Sequence, residues 1–285
     1  MDWFISVILG IVEGITEFLP ISSTGHLTIA ERLAGWSIDS PDVVAFTAII
    51  QIGAIAAAIV YFRKDIVRLA TGWFWGVFKP ERRGVDYRLG WAVIIGSIPI
   101  AIVALALTSF IETALRSLWI VAAALIGWSF VLLIADRYTD RLLRSPRGIL
   151  RDESSITIVD ALIIGTVQCF ALIPGVSRSG ATISAALLRG IDRTTATRWS
   201  FFLGIPALTA AGLYEAATQY DRIGSGIGWG PTALAIVISF VVAYVTIAWL
   251  LRFVAKNRFT LFIVYRIVAG LILAALLFFA VIPAV

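Results

Sequence analysis

The sequence has few charged residues and a single cysteine. Charged side chains make up only 14% of the 285 residues, whereas hydrophobic residues make up 60%. Several apolar runs approach ~20 residues, the length that crosses the hydrocarbon core of a bilayer. The lone Cys169 excludes an intrachain disulfide and a cysteine metal site. The sequence therefore predicts an integral membrane protein rather than a soluble domain.

Uninterrupted apolar segments predict six full crossings, at about 42–62, 91–110, 118–136, 198–219, 232–251 and 259–282. Two further segments, about 3–33 and 157–190, are apolar at both ends but broken by LPISSTGH and IPGVSRSG. Such breaks leave backbone groups unpaired, which a membrane tolerates only where the backbone is buried in protein or lines a wet cavity. We therefore expect two re-entrant hairpins, each entering and leaving on one side.

The basic residues predict the orientation. Eighteen of the 23 Lys and Arg residues fall in the loops 63–88 and 137–151, beside the end of the second hairpin, or in the last short loop. Only Arg32, Arg116 and Arg222 fall on the opposite face, and cytoplasmic loops carry the excess of positive charge. For the same reason, the net charge of +5 does not indicate nucleic-acid binding. Both termini and the mouth of the first hairpin are expected outside the cytoplasm.

The two broken segments resemble each other. With a one-residue gap, GIVEGITEFLPISSTGH aligns with GTVQCFALIPGVSRSGA, matching two glycines, a proline and a serine. Each hairpin precedes three crossings, and an odd number inverts the second copy. The expected fold is an all-α polytopic membrane protein with one membrane domain of two inverted repeats, 1–150 and 151–285. Transporters with this architecture place their site where the repeats meet.

Glu13 and Glu17 lie four residues apart in the first broken segment, so a helix places both on one face. An ionised carboxylate within a membrane costs roughly 3 kcal/mol on insertion scales, and two like charges also repel. A divalent cation, Mg²⁺ or Ca²⁺, offsets this cost because it takes hard oxygen ligands and completes its shell with phosphate and water. Protonation of one Glu, or pairing of both with Arg, is the alternative.

Ser22, Ser23 and Thr24 precede Gly25 and His26, where a second half-helix is expected to begin. The free N–H groups and positive dipole end of a helix N-terminus suit phosphate. His26 can serve as a general base, as a nucleophile, or as an acid toward a leaving group. A packing role is the alternative for the hydroxyls.

The second hairpin places a guanidinium, that of Arg178, within the membrane. There it needs a counter-ion, and its planar fork matches phosphate oxygens. A salt bridge to Glu13 or Glu17 is the alternative. The neighbouring hydroxyls and glycine are Ser177, Ser179, Gly180 and Thr182. Carboxylates, hydroxyls, an imidazole and an arginine are the components of phosphoryl transfer or hydrolysis, and the apolar surroundings indicate a lipid phosphate.

The stretches EGITEFLPISSTGHL and PGVSRSGATISAALLRG resemble the two signature motifs of undecaprenyl-pyrophosphate phosphatases of the bacitracin-resistance type. The resemblance extends over nearly the whole chain, including QIGAIAAAIVYF, RWSFFLGIPA and YRIVAGLIL. It implies two inverted repeats with re-entrant hairpins in the bacterial inner membrane. It also implies that the terminal phosphate of undecaprenyl pyrophosphate is removed at an outward-facing site, which recycles the lipid carrier of cell-wall synthesis.

The resemblance also implies residue roles. Glu13 and Glu17 look like the essential acidic pair, Ser23 and His26 like the catalytic hydroxyl and imidazole, and Arg178 like the pyrophosphate clamp. The expected substrate ligands beside Arg178 are Ser22, Thr24, Gly25, Gln51, Ser177, Ser179, Gly180 and Thr182. We expect Ser23 to attack after activation by His26, while a phosphorylated His26 and attack by metal-bound water stay open.

Two polar residues lie within predicted crossings. Gln51 can hydrogen-bond a phosphate, the re-entrant backbone, or another helix. Arg266 is expected to be structural, as a partner for a buried carboxylate or for hairpin carbonyls.

A phosphatase is the first functional hypothesis. The inverted repeat also suits a transporter or flippase of an anionic isoprenyl phosphate lipid. A membrane scaffold ranks last because it leaves the buried charges without a purpose. The expected partners are a long-chain isoprenyl pyrophosphate and membrane lipids, not nucleic acid, with a homodimer left open.

Overall fold

Apolar helices dominate the structure. The computed structural model describes residues 2–38, 40–114, 117–145, 148–219, 222, 224 and 226–283. Arg116 and Arg147 contribute to the predicted charge asymmetry, but they lie outside the described residues. In this part of the chain the α-helices are α1 Asp2–Thr16, α2 Ser23–Leu33, α3 Pro41–Tyr61, α4 Arg63–Phe78, α5 Val85–Ala114, α6 Leu118–Leu143, α7 Ile158–Gln168, α8 Arg178–Leu188, α9 Arg193–Thr218, α10 Trp229–Val254 and α11 Thr260–Phe278.

Six of the described helices are long and apolar enough to cross a membrane. They are α3, α5 over Val85–Leu107, α6, α9, α10 and α11, and each overlaps one predicted crossing. α5 and α9 begin several residues before the predicted crossings because their polar first turns continue the helix beyond the apolar core. The chain is thus an all-helical, multi-pass membrane protein.

Both segments predicted to be broken consist of a helix, a break and a second helix. α1 ends at Thr16 and α2 begins at Ser23, while α7 ends at Gln168 and α8 begins at Arg178 after a short 3-10 turn. Each break contains a proline, which lacks the N–H of a helical hydrogen bond and disfavours helical backbone in the residue before it. The helix–break–helix organisation is therefore encoded locally.

One predicted loop is a helix. The segment 63–88 is predicted to be a cytoplasmic loop, but Arg63–Phe78 forms α4. Leu69 and Gly76 are buried on α4, whereas Trp75 and Phe78 are exposed among basic residues. The loop prediction rested on the basic residues of this segment and overlooked Ile66, Leu69, Trp73 and Gly76, which recur every three or four residues along one face of α4.

The helices of the two broken segments pack crosswise against the opposite half of the chain. α1 lies along α10, and α7 lies along α5. A Cβ added at Gly10 would lie 2.7 Å from the carbonyl oxygen of Ala235, and one at Gly165 would lie 1.9 Å from that of Gly96. Glycine is therefore required at both crossings for the backbones to approach, and the sequence alignment matches Gly10 with Gly165.

A carboxylate fixes the start of the second broken segment. Asp160, in the first turn of α7 and outside the six candidate spans, accepts hydrogen bonds from Thr157 and from the guanidinium groups of Arg151 and Arg189. Burial would raise the pKa of Asp160, but these hydrogen bonds hold it well below its usual range. Asp160 therefore ties together the two chain segments that flank this hairpin.

Candidate functional site

The two breaks have the same local conformation. Ser22 caps α2 with φ of 76°, and Ser177 caps α8 with φ of 75°. The Ser22 hydroxyl accepts from the N–H of Gly25 at 3.4 Å, and the Ser177 hydroxyl accepts from that of Gly180 at 3.1 Å. A positive φ in a residue other than glycine costs of order 1–3 kcal/mol and clusters at functional sites. The sequence match of the two motifs thus corresponds to matched geometry.

The two breaks contact each other directly. The N–H of Gly175 donates to the Ser22 hydroxyl at 3.1 Å. The Ser179 hydroxyl donates to the carbonyl oxygen of Leu19 at 2.9 Å. Segments some 150 residues apart in the chain therefore form one polar centre among apolar helices.

Arg266 stabilises the contact between the two breaks by hydrogen-bonding to both of them. Its side chain is fully buried and donates to the carbonyl oxygens of Pro20 at 2.9 Å and Gly175 at 3.0 Å. The same guanidinium donates to the Ser129 hydroxyl on α6 at 3.1 Å. Of the two partners considered for Arg266, hairpin carbonyls are the ones that it binds.

Glu17 is the centre of the polar contacts. One carboxylate oxygen accepts from the Ser23 hydroxyl at 2.7 Å and from the Gln51 amide at 3.2 Å. The other accepts from Arg178 at 3.3 Å. Glu17 is 6% exposed, so these charge-assisted contacts lie largely away from water. Four of the predicted site residues, from both breaks and α3, are thereby brought together.

Two buried charged atoms at this centre have no hydrogen-bond partner among the described residues. They are Arg178 Nε and Glu13 Oε1. The Arg178 guanidinium also donates to the carbonyl oxygen of Ser200 at 3.0 Å, which fixes its plane and leaves Nε for another acceptor. A buried polar atom without a partner costs ~1–3 kcal/mol, and more when it is charged. One of the two atoms suits an anion and the other suits a cation.

The two atoms belong to residues that line different cavities. The inner cavity, of about 160 Å³, contains Glu17 and Arg178 in its wall, together with Ser22, Ser23, Thr24, Gln51 and Ser177. The outer cavity, of about 290 Å³, is lined by Glu13 and Glu31 together with Ser23, Thr24, Thr28, Thr47 and Gln51. Ser23, Thr24 and Gln51 are common to both walls. The cavities are therefore adjacent, with the Ser23 side chain between them.

His26 is hydrogen-bonded to groups other than the Ser23 hydroxyl. Its Nδ1 lies 2.7 Å from the carbonyl oxygen of Ser22, and its Nε2 lies 2.7 Å from the hydroxyl of Tyr265. The imidazole stacks on the Tyr265 ring, with centroids 5.5 Å apart. The described linings of the two cavities do not include His26. The structure thus pairs the Ser23 hydroxyl with Glu17, where the sequence reasoning expected His26.

Several predicted ligands are already engaged within the protein. Thr182 is buried and donates to the Ser200 hydroxyl at 2.7 Å. Ser177 and Ser179 hydrogen-bond each other at 3.1 Å. The N–H groups of Gly25 and Gly180 are capped by serines, as described above. Their predicted role in substrate binding stays a prediction, whereas their role in shaping the breaks is observed.

Three relevant residues were missed by the sequence reasoning: Tyr265, Glu31 and Thr47. Tyr265 precedes Arg266 in the last span, and a hydroxyl in an apolar helix was the available signal. Glu31, near the end of the first broken segment, is buried with a hydrogen bond from Thr47. A carboxylate inside an apolar hairpin is rare and indicates a functional residue, so the sequence did carry a signal for Glu31.

The donor set fits a hard divalent cation on the Glu13 side. Both oxygens of Glu17 already accept hydrogen bonds, whereas Glu13 Oε1 is buried and accepts none from the described residues. Among the described residues no group of three or more His, Cys, Asp or Glu side chains is placed to hold a metal ion. A cation would therefore take Glu13, neighbouring hydroxyl oxygens and water, which is the oxygen coordination that Mg²⁺ and Ca²⁺ accept.

Fold and site together define a class: a multi-pass helical membrane protein in which two broken helical segments meet at polar cavities suited to an anion and a cation. Comparison with known proteins identifies the group within that class. The chain belongs to the family described as bacitracin resistance protein BacA, which it matches over residues 6–272.

Curated relatives match over nearly their full length. The chain is 54% identical to an undecaprenyl-diphosphatase of Cutibacterium acnes, with 100% of each chain covered. It is 55% identical to undecaprenyl-diphosphatase 3 of Frankia casuarinae, over 93% of each chain. It is 44% identical to an undecaprenyl-diphosphatase of a Mycobacterium species, with 100% of each chain covered.

Proposed function

We propose that the protein hydrolyses undecaprenyl diphosphate to undecaprenyl phosphate and inorganic phosphate. This reaction recycles the lipid carrier for cell-wall synthesis and accounts for the bacitracin resistance after which the family is named. Relatives at 44–55% identity carry the name of this activity. The activity also explains why costly polar groups lie among apolar helices.

One observation carries the proposal: Arg178 Nε is buried beside the Glu17–Ser23 pair and has no partner in the part of the chain that the structure describes. A phosphate oxygen is the natural acceptor, because guanidinium and phosphate form short, charge-assisted hydrogen bonds. Such an oxygen would enter the inner cavity, whose wall also carries Ser23. The reacting phosphorus would then lie between the Arg178 guanidinium, which binds its oxygens, and the Ser23 hydroxyl.

Ser23 is the nucleophile that this geometry favours. Its hydroxyl oxygen attacks the terminal phosphorus while its proton passes to Glu17, the carboxylate it already contacts at 2.7 Å. The bond from that phosphorus to the bridging oxygen breaks, and its electron pair leaves with undecaprenyl phosphate. Water then attacks the phosphoserine, and the Ser23 oxygen leaves and regains its proton from Glu17. Inorganic phosphate is the second product.

Two alternatives for the nucleophile give Ser23 and His26 different roles. Direct attack by water uses Glu17 as its base and leaves Ser23 as a ligand. Attack by His26 requires the imidazole to leave both the Ser22 carbonyl and Tyr265. The favoured route predicts that Ser23→Ala costs more activity than His26→Ala.

A divalent cation, Mg²⁺ or Ca²⁺, would supply neutralisation of the diphosphate charge. Glu13 is the residue that would hold it, with hydroxyl oxygens from the outer cavity. Glu17 orients Ser23 and Arg178 and contributes its charge from the other side.

The two halves of the chain, 1–150 and 151–285, are proposed to be inverted repeats with re-entrant hairpins at 3–33 and 157–190. The matched serine caps and the crosswise packing of α1 on α10 and α7 on α5 support this. The proposed location is the bacterial inner membrane, and the excess of basic residues in one set of loops favours an orientation in which the cavities open outward. Ile38 and Val43, next to the predicted outer loop, line the outer cavity and agree with this.

A second candidate is movement of the product lipid across the membrane. The reciprocal packing of the two halves favours it, because alternating access uses such symmetry. It predicts lipid transfer across a sealed bilayer by a variant that no longer hydrolyses.

The test is phosphate release from undecaprenyl diphosphate by the purified protein, with chelator and with Mg²⁺ or Ca²⁺ restored. Wild type is compared with Glu17→Gln, Ser23→Ala and His26→Ala, and reconstituted vesicles score lipid transfer separately. We expect loss of release with chelator, recovery with cation, and the largest losses for Glu17→Gln and Ser23→Ala. An equal rate of phosphate release by wild type with and without chelator would contradict the role given to the cation. No release under any condition would contradict the proposed function.

A further inference from the structure

Glu31 is a buried carboxylate that the proposed reaction does not use. It lies on α2, is 4% exposed, and accepts a hydrogen bond from the Thr47 hydroxyl on α3. Its side-chain partner in the structure is thus a hydroxyl group rather than a cation. Burying an ionised carboxylate without a compensating positive charge is costly. Either a positive charge from outside the chain or protonation of Glu31 would remove this cost, and the wall of the cavity beside Glu31 favours the former.

The inner and outer cavities differ in the charge of their walls. The inner cavity contains Arg178, and its geometry suits a phosphate. The described lining of the outer cavity contains Glu13 and Glu31 but no lysine or arginine. Both carboxylates line the same cavity, so they would repel each other when both are ionised. An anion is therefore disfavoured in the outer cavity and a cation is favoured.

The second observation concerns Glu13. This residue is 1% exposed, lines the same cavity, and has an oxygen without a partner among the described residues. We propose that Glu13 and Glu31 together hold a divalent cation in the outer cavity, with threonine hydroxyls and water completing its shell. Glu31 is then the residue that sets cation affinity, separate from the chemistry at Ser23.

The size of the cavity fits this coordination. A volume of about 290 Å³ holds roughly ten waters at ~30 Å³ each, so an ion can keep part of its hydration shell. Mg²⁺ dehydrates reluctantly and usually binds through one or two carboxylates plus waters, and Ca²⁺ accepts the same oxygen donors. The hydroxyls of Thr24, Thr28 and Thr47 supply neutral ligands from the wall.

The location also gives the cation a use. The inner and outer cavities share Ser23 and Thr24, so a cation in the outer one lies across the Ser23 side chain from Arg178. A diphosphate bound by Arg178 would thus have positive charge on two sides. This use of the cation rests on the proposed function, but its binding does not.

The test measures cation binding by the purified full-length protein without lipid. Equilibrium dialysis with radioactive Ca²⁺, followed by competition with Mg²⁺, gives the Kd for each ion. Glu31→Gln is compared with wild type, and Glu81→Gln is the matched control because Glu81 is exposed on the short 3-10 turn after α4. Glutamine keeps the shape of Glu31 and can still accept from Thr47, so the fold should persist. Thermal unfolding without cation checks this.

We expect Glu31→Gln to weaken Ca²⁺ binding at least about tenfold, as loss of residues supporting a metal site does, and Glu81→Gln to leave it unchanged. Glu31→Asp keeps the charge and should fall between wild type and Glu31→Gln. In the phosphate-release assay, Glu31→Gln should need more cation than wild type for its half-maximal rate.

Equal Ca²⁺ affinity in wild type and Glu31→Gln would overturn the proposal, and so would absence of binding by wild type. A loss of binding in Glu31→Gln, together with a wild-type protein that releases no phosphate, would support the cation site while refuting the proposed function. The two conclusions therefore fail separately.

Discussion

Replacing Arg178 with lysine keeps the positive charge but removes the planar fork. In the structure the guanidinium donates to Ser200 and to Glu17, while Nε remains for a phosphate oxygen. A lysine ammonium donates from a single atom and cannot keep these directions at once. The variant thus isolates the geometric part of phosphate recognition from the electrostatic part.

The expected size of the effect follows from the one hydrogen bond to substrate that lysine cannot make. A hydrogen bond to a charged group contributes ~1.5–3 kcal/mol, and Nε is the donor atom of Arg178 that has no partner among the described residues. At ~1.4 kcal/mol for each factor of ten, Arg178→Lys should lower kcat/KM by about 10- to 150-fold. Arg178→Ala, which also leaves Glu17 without its cation, should have a lower kcat/KM still.

The assay is inorganic phosphate release from undecaprenyl diphosphate by purified protein at saturating cation. Arg252→Lys, an exposed site at the end of α10, is the matched control and should retain wild-type kcat/KM. Circular dichroism and thermal unfolding show whether each variant is folded. A folded Arg178→Lys protein with wild-type kcat/KM would refute the assignment of Arg178 as the phosphate clamp.

Three further predictions concern the frame around the site. Arg266→Gln should lower the free energy of unfolding by ~2–6 kcal/mol, because two buried carbonyl oxygens lose their donor; a melting temperature equal to wild type would contradict this. Gly165→Ala should destabilise by ~1–3 kcal/mol or more, because its Cβ would lie 1.9 Å from a backbone oxygen, whereas Gly127→Ala meets nothing within 4 Å and should not. Equal melting temperatures for the two glycine variants would count against the close crossing. Asp160, whose pKa is lowered in the folded state, stabilises the protein above its ordinary pKa of ~3.9 and loses this contribution as pH falls below that value. Asp160→Asn should therefore melt lower at neutral pH and show a smaller loss on acidification, as thermal melts between pH 7 and 3 would reveal.

Much of the fold was predictable because its determinants are local. Length and apolarity predicted the six spans, and the prolines of the two motifs predicted the breaks. α4 was missed because its basic residues suggested a cytoplasmic loop, although Ile66, Leu69, Trp73 and Gly76 recur at helical spacing. The partners of Gly10 and Gly165 depend on packing between distant parts of the chain, and no local pattern specifies them.

The sequence predicted which residues form the site, but it did not predict which of them contact each other. Residue types identified Glu17, Ser23 and Arg178, because charged residues and clustered hydroxyls are costly in an apolar chain and therefore indicate a functional site. Their mutual contacts depend on side-chain directions at the ends of α1 and α2. Those directions turn His26 toward Tyr265 and present Ser23 to Glu17.

The central claim is that residues of both breaks bind one diphosphate head group. A structure of the protein with a non-hydrolysable diphosphonate analogue of the lipid tests this most directly. We predict a terminal phosphonate oxygen within hydrogen-bond distance of Arg178 Nε, and the terminal phosphorus in reach of the Ser23 hydroxyl. A head group that binds outside the inner cavity, with Arg178 Nε still unpartnered, would contradict the account.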